Sequence, residues 1–85
     1  MELYIIYGIS DCPACLQAQA TLMAEDKEYV FVNADFSKLY RTAIKEEFDW
    51  NTLPIIVKVT AEQEEFIGGY DDLCYILKKE SKVPL

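Results

Sequence analysis

The sequence predicts a single α/β domain in the order βαβαββα, a four-stranded mixed sheet flanked by three helices. Three observations carry that prediction. Short apolar runs rich in β-branched and aromatic residues recur at residues 3–7, 29–32, 54–59 and 65–67. Stretches with apolar residues at helical spacing separate the first three runs, and another follows the last. Only a polar turn lies between the last two runs, which favours an antiparallel hairpin, whereas the strand–helix–strand order at the start implies a right-handed parallel crossover.

Each element has its own local signal. Leu3-Tyr4-Ile5-Ile6-Tyr7 is an uninterrupted apolar run, the pattern of a strand buried on both faces. From about Pro13 to Glu25, Leu16, Ala20 and Met23 fall at helical spacing with no intervening glycine, which predicts a first helix of roughly three turns. Tyr29-Val30-Phe31-Val32 then restores strand character. Between Ser37 and Phe48, Leu39, Tyr40, Ala43, Ile44 and Phe48 recur on one stripe, while Lys38, Arg41, Lys45 and Glu46 lie off it. A second helix crossing back over the sheet is expected there. Pro54-Ile55-Ile56-Val57-Lys58-Val59 is the strongest strand signal, with the proline tolerated at the strand's first residue. The turn from Thr60 to Glu64 leads into Glu65-Phe66-Ile67, which Gly68-Gly69 ends. Asp71 and Asp72 suit the first turn of a last helix whose apolar face is Leu73, Ile76 and Leu77 and whose C-terminal end carries Lys78 and Lys79.

Composition narrows the function classes. Eighty-five residues suffice for one core and one site, so residues 1–85 are read as one domain. With 52% hydrophobic and 27% charged residues and only three glycines and three prolines, the chain is expected to fold as a compact globule. A formal charge of −7, with eight Lys and Arg scattered among fifteen acids, argues against docking on nucleic-acid phosphates. A basic protein partner or a solubility role for the charge remains. The apolar run at residues 3–7 is too short to span a bilayer, and no basic region with a following apolar stretch and cleavage site opens the chain. A cytoplasmic monomer without membrane contact is the expectation. Three cysteines fit a reducing compartment with a catalytic pair better than a secreted disulfide scaffold.

Chemistry is expected at Cys12-Pro13-Ala14-Cys15, which directly follows the first strand and opens the first helix. A helix start gathers unpaired backbone N–H groups and the positive end of the helix dipole, so a sulfur held there is stabilised as thiolate, the form that attacks disulfides. Pro13 suits an early helix position, where its missing N–H costs nothing. Zinc is a poor alternative: the chain has no histidine and only Cys74 besides the pair, short of four soft ligands. Cys74, beside Leu73 on the last helix, reads as a small apolar filler more readily than as a reactive group.

Three motifs in matching order carry a resemblance. The Cys-Pro-x-Cys pair after the first strand, Thr52-Leu53-Pro54 before the third, and Ile67-Gly68-Gly69-Tyr70-Asp71-Asp72-Leu73 opening the last helix together resemble a glutaredoxin over nearly the whole chain. The resemblance implies a thioredoxin fold, a dithiol site and glutathione as reducing co-substrate; no metal is expected, on the ligand count given above. It makes Cys12 the nucleophile and Cys15 the resolving thiol. It also implies a cis peptide at Pro54, although local chemistry alone favours trans, and a Leu53 backbone that pairs with bound glutathione as an added strand. Gly69, Tyr70, Asp71 and Asp72 become candidate contacts for the γ-glutamyl end, the alternative being a glycine turn with two helix-capping acids.

Three positions depart from the family pattern. Ile9 stands where many relatives place a Lys or Arg that holds the tripeptide's glycine carboxylate. Arg41, and after it Lys45, are the candidate replacements from the second helix, against the plainer reading of a solvated face. Asp11 places a carboxylate beside Cys12 that opposes the helix field. Ala14 replaces a frequent tyrosine and opens the site. Tyr7 is read as core or groove lining, and Phe48 and Trp50 as closing the second helix against the sheet, with an exposed Trp50 signalling a partner surface instead. Three functions follow: a glutathione-dependent reductase of protein or mixed disulfides, with ribonucleotide reductase among its plausible acceptors; a redoxin reduced by a thioredoxin-reductase-like flavoenzyme; and a non-enzymatic interaction or cluster-carrying module.

Overall fold

The computed structural model describes residues 1–81 and has the predicted element order. Strand β1 (Glu2–Gly8) is followed by helix α1 (Pro13–Ala24), strand β2 (Tyr29–Asn33) and helix α2 (Lys38–Glu47). Strands β3 (Ile55–Thr60) and β4 (Glu64–Gly68) and helix α3 (Tyr70–Ser81) complete it. The strands form one sheet in the order β2-β1-β3-β4. β1 runs parallel to β2 and antiparallel to β3, and β3 runs antiparallel to β4. No described helix is long and apolar enough to cross a membrane.

Register sorts the side chains, because residues directly opposite across a ladder share a face. Ile6 faces Ile56 and Tyr4 faces Lys58 on one side, while Ile5 faces Val57 and Tyr7 faces Ile55 on the other. On the first side Tyr4, Ile6 and Ile56 pack with Ala18 and Leu22 of α1 and Leu73 and Leu77 of α3, none more than 6% exposed. This is the main core. On the second side Ile55 and Val57 are buried beneath a chain of rings: Tyr7 lies 6.0 Å from Phe48, which stacks on Phe66 at 5.4 Å, and Trp50 meets Phe66 edge-on. α2 buries only Ile44.

Three sequence expectations need correction. α1 buries Cys15, Ala18 and Leu22, and not the stripe of Leu16, Ala20 and Met23; Leu16 and Met23 are 59% and 67% exposed. The helix carries apolar residues all round, so their spacing does not choose a face and the sheet chooses instead. In α2 the stripe predicts burial of Leu39, Tyr40 and Ala43, but all three are exposed, since the helix meets the sheet through Ile44 and through Phe48 at its C-cap. β1 is fully closed on one face only: Leu3, Ile5 and Tyr7 remain half-buried.

The end of the sheet away from residue 12 is held by charge. Lys58, opposite Tyr4, reaches Glu2 at 3.1 Å and Glu80 of α3 at 2.6 Å, and Lys27 reaches Glu2 at 3.3 Å. The hydrogen bond to Glu80 holds the Lys58 ammonium well above its ordinary range, and the bond from Lys58 draws the Glu2 carboxyl below its ordinary 4.5. Burial pushes the neighbouring Tyr4 phenol up to about 12. A lowered Glu2 contributes stability above its unfolded value that is lost as pH falls through the folded one, whereas a raised Lys58 contributes below 10.5 and loses it as pH climbs through its own. Lys58→Met is therefore expected to cost about 1 kcal/mol at pH 7, with the loss shrinking as Glu2 is protonated. Urea unfolding of both proteins at pH 7 and at pH 3 measures this. In the main core, Leu22→Ala is expected to cost about 3 kcal/mol, readable in the same titrations.

Candidate active site

β1 delivers the chain to the site through Gly8, where a side chain has no room. A Cβ there would stand 2.6 Å from Cys15 Sγ and 3.0 Å from the Phe31 ring. Ile9, Ser10 and Asp11 then form a short loop, and Cys12 is the N-cap of α1 with extended backbone (φ −151°, ψ 97°). Its sulfur accepts the Cys15 amide at 3.1 Å, taking the place that a serine or aspartate oxygen fills at most helix starts. Pro13 is the first helical residue, and the Cys12 carbonyl accepts the Leu16 amide at 3.1 Å. The two sulfurs are joined as a disulfide, with Cys12 half-buried and Cys15 fully buried. Attack from outside therefore reaches Cys12 and not Cys15.

Across from the pair, the Leu53–Pro54 peptide is cis and the Leu53 carbonyl oxygen lies 3.9 Å from Cys12 Sγ. Thr52, Leu53 and Pro54 line an open groove of about 340 Å³ together with Gly69, Tyr70, Asp71 and Asp72. The structure thus brings together the binding candidates from the segments before β3 and at the start of α3, but not the two cations of α2. Asp72 has a local duty: its Oδ2 accepts the Gly69 amide at 3.0 Å at the start of α3. Gly68, at φ +123°, would press a Cβ to 2.6 Å from that same oxygen, so glycine is required there. Asp71 is exposed in the first turn of α3. Tyr70 ties α3 to α1 through its hydroxyl, 3.3 Å from Thr21 Oγ1.

Arg41 and Lys45 are the exceptions. Arg41 does not line the groove; its Nη1 donates to the carbonyl oxygens of Ala34 and Asp35 at 2.8 and 2.7 Å, spanning the turn before α2. Lys45 lies in the last turn of α2, also outside the lining. Among the described residues, none that lines the groove is cationic.

Sequence reasoning missed several contributors. Gln17 faces the groove from α1 beside Ala14, the position already read as opening the site, and Trp50, which closes α2 as expected by donating its amide to the Lys45 carbonyl at 3.0 Å and meeting Phe66 with its ring, also walls the groove. The Trp50 indole N–H is buried without a hydrogen-bond partner. Asp35 accepts the Ser10 amide at 2.8 Å and the Ser10 hydroxyl, and these bonds hold its carboxyl below the usual carboxylate range. The only sequence signal was Asn33 and Asp35 just after a strand, residue types that bond nearby backbone. Cys74 is half-buried, in a second cavity of about 310 Å³ between α1 and α3 with Thr21, Glu25, Leu77 and Lys78. No three His, Cys, Asp or Glu side chains converge on a metal position among the described residues.

Comparison with known proteins places this geometry in a family. The glutaredoxin family model matches residues 4–60. Among solved structures, the chain resembles the glutaredoxin of Brucella melitensis at 33% identity and a TM-score of 0.71, over 93% of this chain and 80% of that one. It resembles the dithiolic glutaredoxin 2-C-Grx1 of Trypanosoma brucei brucei at 28% identity and 0.68, over 93% and 79%. Thioredoxin f2 of Chlamydomonas reinhardtii, at 14% identity and 0.59 over 99% and 82%, shares the fold. No curated protein sequence matches the chain. With a mixed four-stranded sheet, three helices and a Cys-Pro-Ala-Cys disulfide at the mouth of α1, the chain belongs to the glutaredoxin family and has the thioredoxin fold.

Proposed function

We propose that the protein is a glutathione-dependent thiol–disulfide oxidoreductase that reduces protein or mixed disulfides in the cytoplasm, as a monomer. The observation that carries this reading is the asymmetry of the pair: Cys12 is reachable at a helix N-cap, while Cys15 is sealed one turn behind it. In the reduced protein the Cys12 thiolate attacks one sulfur of a target disulfide, forming a mixed disulfide and releasing the other sulfur as thiolate. Cys15, deprotonated as it turns outward, attacks Cys12 Sγ, closes the intramolecular disulfide and frees the second target sulfur. Two electrons have then moved to the target. Two glutathione thiols restore the dithiol and leave as glutathione disulfide.

The groove supports glutathione as that reductant. Leu53 offers backbone at 3.9 Å from the reactive sulfur, suited to pairing with a peptide as an added strand. The start of α3 supplies N–H groups for a carboxylate, and the exposed Asp71 carboxylate can accept from an α-ammonium group. Ribonucleotide reductase is one acceptor this chemistry would serve. A second reading, reduction by a thioredoxin-reductase-like flavoenzyme, is favoured by one observation: among the described residues the groove lining holds no cation, and Arg41 is engaged by two carbonyl oxygens elsewhere. Parallel assays coupled to glutathione reductase and to thioredoxin reductase separate the two.

Turnover of a glutathionylated peptide tests the assignment of the sulfurs. Cys12→Ser is expected to abolish it, whereas Cys15→Ser retains turnover of the glutathionylated peptide and loses reduction of a protein disulfide. Survival of peptide turnover in Cys12→Ser would overturn the mechanism. Asp11→Asn removes a carboxylate next to the nucleophile and is expected to move ionisation of the Cys12 thiol to lower pH, raising alkylation at pH 6 about two- to fivefold. Thiolate absorbance near 240 nm, titrated in both reduced proteins, reads that shift.

A further inference from the structure

The loop that carries Cys12 is fastened to the turn after β2 by hydrogen bonds that no step of the exchange uses. Asp35 takes the Ser10 amide on Oδ1 at 2.8 Å and the Ser10 hydroxyl on Oδ2. Asn33 donates its side-chain N–H to Ser10 Oγ at 3.0 Å and accepts the Asp35 amide on Oδ1 at 2.7 Å. The Ala34 amide donates to the Gly8 carbonyl at 2.8 Å, extending the β1–β2 ladder by one bond. Arg41 closes the set from α2 by bridging the Ala34 and Asp35 carbonyl oxygens. Residues 33–35 are thereby fixed both to the end of β1 and to Ser10, two positions before the nucleophile.

We propose that Asp35 is a positioning residue for the Cys12 sulfur: by gripping both donors of Ser10, it holds the loop that seats Cys12 at the N-cap of α1. The inference rests on the exchange chemistry proposed above. In the oxidised protein the disulfide itself pins Cys12 to α1. Once that bond is reduced, the sulfur keeps its contact with the Cys15 amide only if the loop stays in place. Apolar burial does little for a segment whose Ser10 and Asp11 are exposed and whose Ile9 is half-buried. The polar clamp is what remains.

Charge and position act with opposite signs here, and that makes the role separable. Around the loop lie Asp11 within it, Asp35 from the turn after β2 and Arg41 from α2. Removing a carboxylate by itself would favour the thiolate, whereas losing the helix-start contact would disfavour it. Asp35→Asn keeps an acceptor for the Ser10 amide and a partner for its hydroxyl, but discards the charge. Asp35→Ala discards both.

The experiment follows the rate of iodoacetamide capture at Cys12, located by peptide mass spectrometry, across pH in the reduced full chain, with Tm measured alongside. Asp35→Ala is expected to move the midpoint upward and slow capture at pH 7 about three- to tenfold, as loss of a cap contact would. Asp35→Asn is expected to leave the midpoint in place or lower it. A downward shift in both variants would mean that only charge matters, and a lower Tm with an unmoved midpoint in Asp35→Ala would mean that the clamp serves stability alone; either overturns the proposal. Should Asp35→Ala not fold, Ser10→Ala takes its place: an upward shift supports the clamp and an unmoved midpoint overturns it. Failure of the underlying chemistry shows separately, as wild-type Cys12 that reacts no faster at pH 7 than free cysteine.

Discussion

The more accessible sulfur of the pair stands at the N-cap of α1, and the rest of the site follows from that one seat. A side chain at this position faces backbone N–H groups that the helix cannot satisfy internally, and here a sulfur receives the Cys15 amide in place of the usual oxygen. Such a contact and the helix dipole both favour negative charge on a sulfur, so one placement sets orientation and local field together. It also sets the spacing, because the next cysteine falls one turn inward, where its sulfur occupies the space that a Cβ on Gly8 would need. The difference in accessibility between the two sulfurs is thus a matter of where the helix begins.

The sheet divides its polar work between its two ends. Near the cysteines, the turn after β2 spends its polar groups on the loop before Cys12, and the segment before β3 lines the groove. At the far end, Lys58 gathers Glu2 and Glu80 and fastens α3 to the central strands. Between them runs the apolar layer of Tyr4, Ile6, Ile56, Leu22 and Leu73. Such an arrangement keeps permanent side-chain charge pairs away from the sulfur and leaves its ionisation to the helix start and to the nearest carboxylates.

Much of the fold was legible in residue order alone. β-branched runs marked the strands because their side chains suit a pleated, buried surface, and Gly68 marked the break before α3 because its left-handed backbone excludes a Cβ. Helix faces were less legible. α1 is apolar on every side, so its burial of Ala18 and Leu22 in place of Leu16 and Met23 was settled by the sheet beneath it and by α3 beside it. Arg41 looked available for a ligand carboxylate because a sequence shows a cation but not the carbonyl oxygens near it in space. Trp50 likewise became part of the groove only once Phe66 from β4 came up against it.

The order of elements, the cysteine pair at a helix start and the motifs before β3 and α3 were determined by the sequence itself, since each depends on neighbours within a few residues. Pairings across long separations were decided only by the tertiary structure: Ser10 with Asp35, Cys12 with Leu53, Gly8 with Cys15, Tyr70 with Thr21. Local spacing governs backbone preference and periodic burial, whereas a hydrogen bond or a steric limit between distant residues exists only after the sheet has set which strand ends lie side by side.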